Sequence, residues 1–128
     1  MYRKRPPGKK EMRNNEQVGI LMNQIMRRFA RSFLDILILR LVDAEATWGY
    51  DIIKKTENEY NVKLRHGALY PMLNRLEKGG LVKSRKELQK GRARKVYQIT
   101  DTGRQLLNAY YDFARHHLHN RAGEQQQE

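Results

Sequence analysis

The sequence predicts a mainly α chain carrying one two-stranded β-hairpin. Three observations predict it. Apolar residues recur at helical spacing from Val18 onward. After Gly79-Gly80 the period changes to that of strands, with a Gly-bearing turn between two runs. Beyond that hairpin, Thr100 opens a last stretch of helical spacing.

The elements follow in chain order. Residues 1–15 lack apolar periodicity, include Pro6-Pro7-Gly8 and are expected to form a flexible basic arm. Residues 16–31 place Val18, Leu21, Met22, Ile25 and Phe29 on one helical stripe, with Arg27, Arg28 and Arg31 off it. Ser32 stands three before Asp35, a capping arrangement that starts a second helix; one longer helix is the alternative. That second helix, Phe33 to Val42, is apolar nearly all round and belongs at the centre of the core. Asp43 to Gly49 reads as a connection, and a helix follows from about Tyr50 to Tyr60.

After a short turn, the next helix spans about His66 to Lys78, with Leu69, Met72, Leu73 and Leu76 inward. Gly79-Gly80 ends it, glycine being free to adopt the left-handed conformation. Leu81–Leu88 and Ala93–Ile99 read as strands joined by Gln89-Lys90-Gly91-Arg92. Thr100 caps a final helix to about His119, and residues 120–128 are expected to be a disordered tail. The order of helix, helix, turn, helix, basic hairpin and helix is that of a winged helix-turn-helix, here spanning 32–99 with extra N-terminal and C-terminal helices.

The charge points to a polyanionic partner. The chain has 128 residues, with 26 Lys and Arg against 14 Asp and Glu, a formal net charge of +12. Residues 1–13 carry +5 of it and residues 83–95 carry +6. The positives therefore lie on the arm and the hairpin rather than over the whole surface, which favours nucleic acid over an acidic membrane. There are no cysteines, which excludes disulfides, Cys-based zinc sites and thiol catalysis. No run is long and apolar enough to span a membrane, and none has the form of a secretory signal, so a cytoplasmic location is expected.

Specific side chains follow from the pattern. Asn74, Arg75 and Lys78 face outward from the 66–78 helix; Asn can read adenine, Arg guanine, and Lys a phosphate. Arg65 and His66 stand at its start, where backbone amides also favour phosphate. Lys90, Arg92, Arg94 and Lys95 form a wing for phosphate or minor-groove contact, against the plainer reading of a solvated charge run. Arg3, Lys4, Arg5, Lys9 and Lys10 of the arm are expected to add nonspecific affinity. The final helix has a wider apolar face than one small core needs. Leu106, Leu107, Tyr110, Phe113, Ala114 and Leu118 are the expected dimer seam; the alternative is packing on helix 16–31 of the same chain, and both can hold.

Catalysis finds no support, because neither Ser32 nor Ser84 sits in a nucleophile motif and no glycine-rich phosphate loop is present. No cofactor is implied. The His116-His117-Leu118-His119 run puts only His116 and His119 on one face, without Cys or a carboxylate cluster, so no metal site is expected.

Four motifs in order carry a resemblance. They are Trp48-Gly49-Tyr50-Asp51; Leu69-Tyr70-Pro71 with Leu73-Asn74-Arg75-Leu76-Glu77; Gly80-Leu81-Val82; and Tyr97-Gln98-Ile99-Thr100-Asp101-Thr102-Gly103. Together they resemble the PadR family of transcriptional regulators across about residues 33–107. The sequence departs from the family at Trp48, where His is frequent. The resemblance implies a homodimer that binds a roughly palindromic operator, as a repressor, with the last helix in dimerisation. It also implies that Tyr70 is a recognition-helix residue, its hydroxyl reaching phosphate or base and its ring a thymine methyl; packing at the edge of the core is the alternative. Two other functions stay open. One is an architectural protein that coats DNA without preference. The other is a sensor with a small-molecule effector between chains, near Tyr110, Tyr111 and Phe113.

Overall fold

A computed structural model describes residues 5–120. Five α-helices and a small antiparallel sheet follow in the order α1 (Lys9–Ser32), α2 (Leu34–Ala44), β1 (Thr47–Trp48), α3 (Gly49–Tyr60), α4 (His66–Lys78), β2 (Val82–Gln89), β3 (Arg92–Ile99) and α5 (Asp101–Ala114). One π-helical turn, Arg115–His119, extends α5.

Helix α2 is the centre of the core. Leu34, Ile36, Leu37, Ile38, Leu39, Leu41 and Val42 are all buried, as an all-round apolar helix requires. Around it lie Ile52 of α3, Leu69, Leu73 and Leu76 of α4, Val82, Tyr97 and Ile99 of the sheet, and Leu107 of α5. Ion pairs brace the rim: Arg40 of α2 meets Glu59 of α3 at 2.9 Å, and Arg104 of α5 meets Asp43 at 3.1 Å.

Helix α4 ends as its glycines require. The amide of Gly80 (φ +74°) donates to Glu77 O, and that of Leu81 to Leu76 O, the paired bonds of a Schellman ending. Thr100 then ties α5 to this corner. Its Oγ1 accepts from the Gly103 amide at 3.1 Å and donates to Gly80 O at 2.6 Å. Gly103 is packed so closely that a Cβ would stand 2.1 Å from Leu81 O. The Thr-x-x-Gly run is thus a docking joint between α5 and the start of the hairpin.

Three expectations need correction. Helix formation begins at Lys9, so residues 9–15 belong to α1 and not to a flexible arm. Lys, Glu, Met and Arg are strong helix formers, and extending an existing helix needs no new nucleus, so an apolar stripe is not required there. The sheet has three strands rather than two: Thr47 pairs with Tyr97 and Trp48 with Val96. A two-residue strand is too short to carry a period. Ser32 does not cap α2; Phe33 occupies that position without a side-chain bond, and the carboxylate of Asp35 accepts from the Ile36 amide. The final helix runs to His119, α-helical to Ala114 and as a π turn beyond it.

Candidate nucleic-acid interface

The α3–turn–α4 unit presents α4 outward. Asn61 adopts the left-handed conformation (φ +53°) and closes α3, and the chain re-enters helix at His66. Leu69, Leu73 and Leu76 anchor the inner face of α4. Arg65, His66, Tyr70, Asn74, Arg75 and Lys78 are all exposed. The spacing 66, 70, 74, 78 puts four of them along one side of the helix. His66 and Tyr70 stack with ring centroids 5.6 Å apart and planes 6° from parallel. Tyr70 is 41% exposed. Its hydroxyl end lies over Gly49, where an added Cβ would stand 2.7 Å from Oη. The ring thus rests on the start of α3 while its other side faces solvent.

The wing is a tight hairpin. Lys90 (φ +50°) and Gly91 (φ +78°) are its two central residues, both in the left-handed region, as a type I′ turn demands. Gln89 pairs with Arg92 below it. Lys90 and Arg92 are exposed, with no ion-pair partner among the described residues. The other two wing residues are tied into the chain. Arg94 lies over the Trp48 ring, 5.4 Å from its centroid. Lys95 Nζ is 3.2 Å from Oε1 of Glu77 on α4.

Glu77 is the joint between helix and wing. Its carboxylate also accepts from the Ser84 hydroxyl. That bond first, and the one from Lys95 second, hold Glu77 below the usual carboxylate range. The Glu77 hydrogen bond in turn raises Lys95 above its ordinary value. Lys86 stands directly opposite Lys95 on the same face. Like charges at that spacing repel, and the Glu77 carboxylate offsets part of the cost. Sequence reasoning did not find this joint, nor Trp48 as the seat of Arg94. No local signal carries either, because both pairings join distant segments.

Of the arm residues, Arg3 and Lys4 lie outside the described residues. Arg5 precedes α1, and Lys9 and Lys10 form its first turn. Along α1 the stripe of Val18, Leu21, Met22 and Ile25 is exposed, and burial begins near Ala30. The expected seam divides. Leu107 and Ala114 are buried in their own chain and are corrected from seam to core. Tyr110 is half-buried against Phe33. Leu106, Phe113 and Leu118 stay exposed on the outer side of α5 and its π turn.

Helix-turn-helix, a hairpin wing within a three-stranded sheet and an outward α4 define a winged helix-turn-helix protein. Residues 38–109 match the profile of the "Transcriptional regulator PadR-like family". The chain belongs to that family, a class of regulators and not of enzymes. It is 34% identical over 82 residues to "Transcriptional regulator Rv3488" of Mycobacterium tuberculosis, covering 64% of this chain and 76% of the relative. Among solved structures, a PadR family transcription regulator from Clostridium difficile superposes with a TM-score of 0.62 at 29% identity, covering 66% of this chain and 88% of the other. Bacillus subtilis PadR in complex with operator DNA superposes with a TM-score of 0.59 at 26% identity, covering 75% of this chain and 52% of the other. No helix among the described residues is long and apolar enough to cross a membrane.

Proposed function

We propose that this chain binds duplex DNA as a sequence-specific homodimeric regulator, acting in the cytoplasm as a repressor on a roughly palindromic operator. One observation carries the reading: Glu77 of α4 pairs with Lys95 of the basic hairpin, so the exposed face of α4 and the wing lie side by side. In this reading α4 enters the major groove with Tyr70, Asn74 and Arg75 toward the bases. Arg65, His66 and Lys78 meet flanking phosphates, and Lys90 and Arg92 follow the backbone. Arg94 and Lys95 hold the wing in place and add positive potential. Two chains pair through Leu106, Phe113 and Leu118, with the exposed stripe of α1 crossing to the partner. Pairing sets two α4 helices one duplex turn apart, which is why the operator is palindromic.

Selection of bound duplexes from a random pool tests this directly. A palindrome with half-sites about 10 base pairs apart, centre to centre, is the expected return. Competition then separates a regulator, which prefers its operator by roughly 10³-fold or more, from an architectural coat, which shows little preference. Transcription from a promoter bearing the selected site should fall when the chain is added.

A second reading has its own support. Tyr110 and Tyr111 line a groove of about 460 Å³ between α1, α2 and α5, together with Phe29, Tyr60 and Met22. An apolar, aromatic-walled space of that size suits a small planar effector. Screening aromatic compounds for a shift in melting temperature, followed by loss of operator binding, tests the effector role.

A further inference from the structure

Helix α1 lies outside the family match. Its C-terminal end forms one wall of a cleft of about 730 Å³, whose opposite wall is the turn leading into α4. Arg27 and Arg31 of α1 face Lys63 and Arg65 of the turn, with Glu57 as the one carboxylate and Ala68 at the α4 side. Arg27 and Arg31 are four residues apart and so share a side of α1. All four cations are exposed, and none has an ion pair or hydrogen bond among the described residues. Six cations elsewhere pair with carboxylates, at Arg40, Lys55, Arg85, Lys95, Arg104 and Arg115, whereas Lys90 and Arg92 of the wing are unpaired among the described residues, like these four.

Like charges gathered around a concavity repel one another, and the concavity focuses their field outward. Such a concavity attracts an anion. Its position says which anion. Arg65 is the residue before α4, no side chain caps that helix start, and its first turn holds no acidic residue. The first amides of α4 therefore add their own partial positive charge at the cleft. When α4 lies in a major groove, the backbone bordering that groove runs past this end of the helix.

We propose that this cleft is a second phosphate-binding site, in which Arg27, Arg31 and Lys63 clamp the duplex backbone beside the groove that α4 reads. The proposal rests on the DNA-binding reading above. It extends the DNA footprint onto α1, beyond the 38–109 unit shared with the family. Arginine suits the task, because its planar fork meets phosphate oxygens two at a time.

The test measures duplex affinity against salt for the full chain, the double change Arg27→Ala with Arg31→Ala, and Arg28→Ala as a control that removes one charge. Arg28 lies on the same helix but does not line the cleft. Each phosphate contact contributes about 0.9 to the log–log salt slope, so the double change should lower it by about 2. Arg28→Ala should leave it unchanged. All three sites are exposed, so melting temperatures should agree. An unchanged slope for the double change would overturn the proposal, as would an equal loss per charge for Arg28→Ala. Inorganic pyrophosphate distinguishes a free anion from DNA. If it binds the full chain and not the double variant, while the DNA slopes agree, the site serves a small phosphate and the duplex clamp is wrong. If the unaltered chain binds no duplex at all, the functional reading itself fails and takes the clamp with it.

Discussion

Lys95 of strand β3 donates to the carboxylate of Glu77 on helix α4, with Nζ and Oε1 3.2 Å apart. The two residues belong to the two parts of the candidate DNA surface. Ser84 of β2 donates to the same carboxylate. A single acidic side chain therefore bridges helix α4 to both strands of the wing, in a region otherwise rich in positive charge.

The first prediction concerns acid. Glu77 is held below the usual carboxylate range, so its contribution to stability is present above its unfolded value and lost as pH falls through the folded one. Ordinary glutamate titrates near about 4.3. Melting temperature should therefore drop more steeply with acid in the unaltered chain than in Glu77→Gln, at and below that value. At neutral pH the same substitution should weaken duplex binding by loosening the wing. Parallel acid limbs in thermal melts would sink the idea.

The second concerns the seat of Tyr70. An alanine at position 49 would place its Cβ 2.7 Å from Tyr70 Oη. The ring is partly exposed and can swing away, so Gly49→Ala should cost little stability. If Tyr70 contacts DNA, affinity should fall in Gly49→Ala about as far as in Tyr70→Ala. A paired measurement of melting and duplex binding checks both halves.

The third sets two neighbouring residues apart. Thr100→Ala removes a cap bond and the bond to Gly80 O, and should cost about 1–2 kcal/mol. Gly103→Ala drives a Cβ into a backbone oxygen that cannot swing aside. It should cost more than about 2 kcal/mol, the upper part of the overpacking range. Urea unfolding of both variants ranks them, and the reverse order would refute the docking joint.

The fourth separates seam from core on α5. Leu106→Glu and Phe113→Glu change exposed positions and should yield folded monomers by light scattering. Leu107→Glu puts a charge into a site with no solvent contact and should unfold the chain. A dimer that survives both outer substitutions would place the seam elsewhere.

Much of the fold was legible because the decisive signals are local. The stripe of Leu69, Leu73 and Leu76 needs only helical geometry to show which way α4 faces. Gly80 and Gly91 mark two of the places where the backbone turns through positive φ, the third being Asn61 among the described residues. Thr100 shows as a cap because its partner, Gly103, lies three residues on. The start of α1 was not legible, since its first turns are solvated and bury nothing that a pattern could register.

By itself, then, the sequence determined the order of the elements, the outward residues of α4 and the basic character of the wing. Each follows from periodicity, turn chemistry or composition within a short window. Only the tertiary structure decided that Thr47-Trp48 joins the sheet, that Leu107 and Ala114 go inward while Leu106 and Phe113 do not, that Lys95 is tied to Glu77 and Arg94 to Trp48, and that Arg27 and Arg31 meet Lys63 and Arg65 around one cleft. The reason is physical. A helix with a wide apolar face, or a cation on a strand, has several surfaces it could satisfy. Which one it meets depends on how segments far apart in the chain pack around α2.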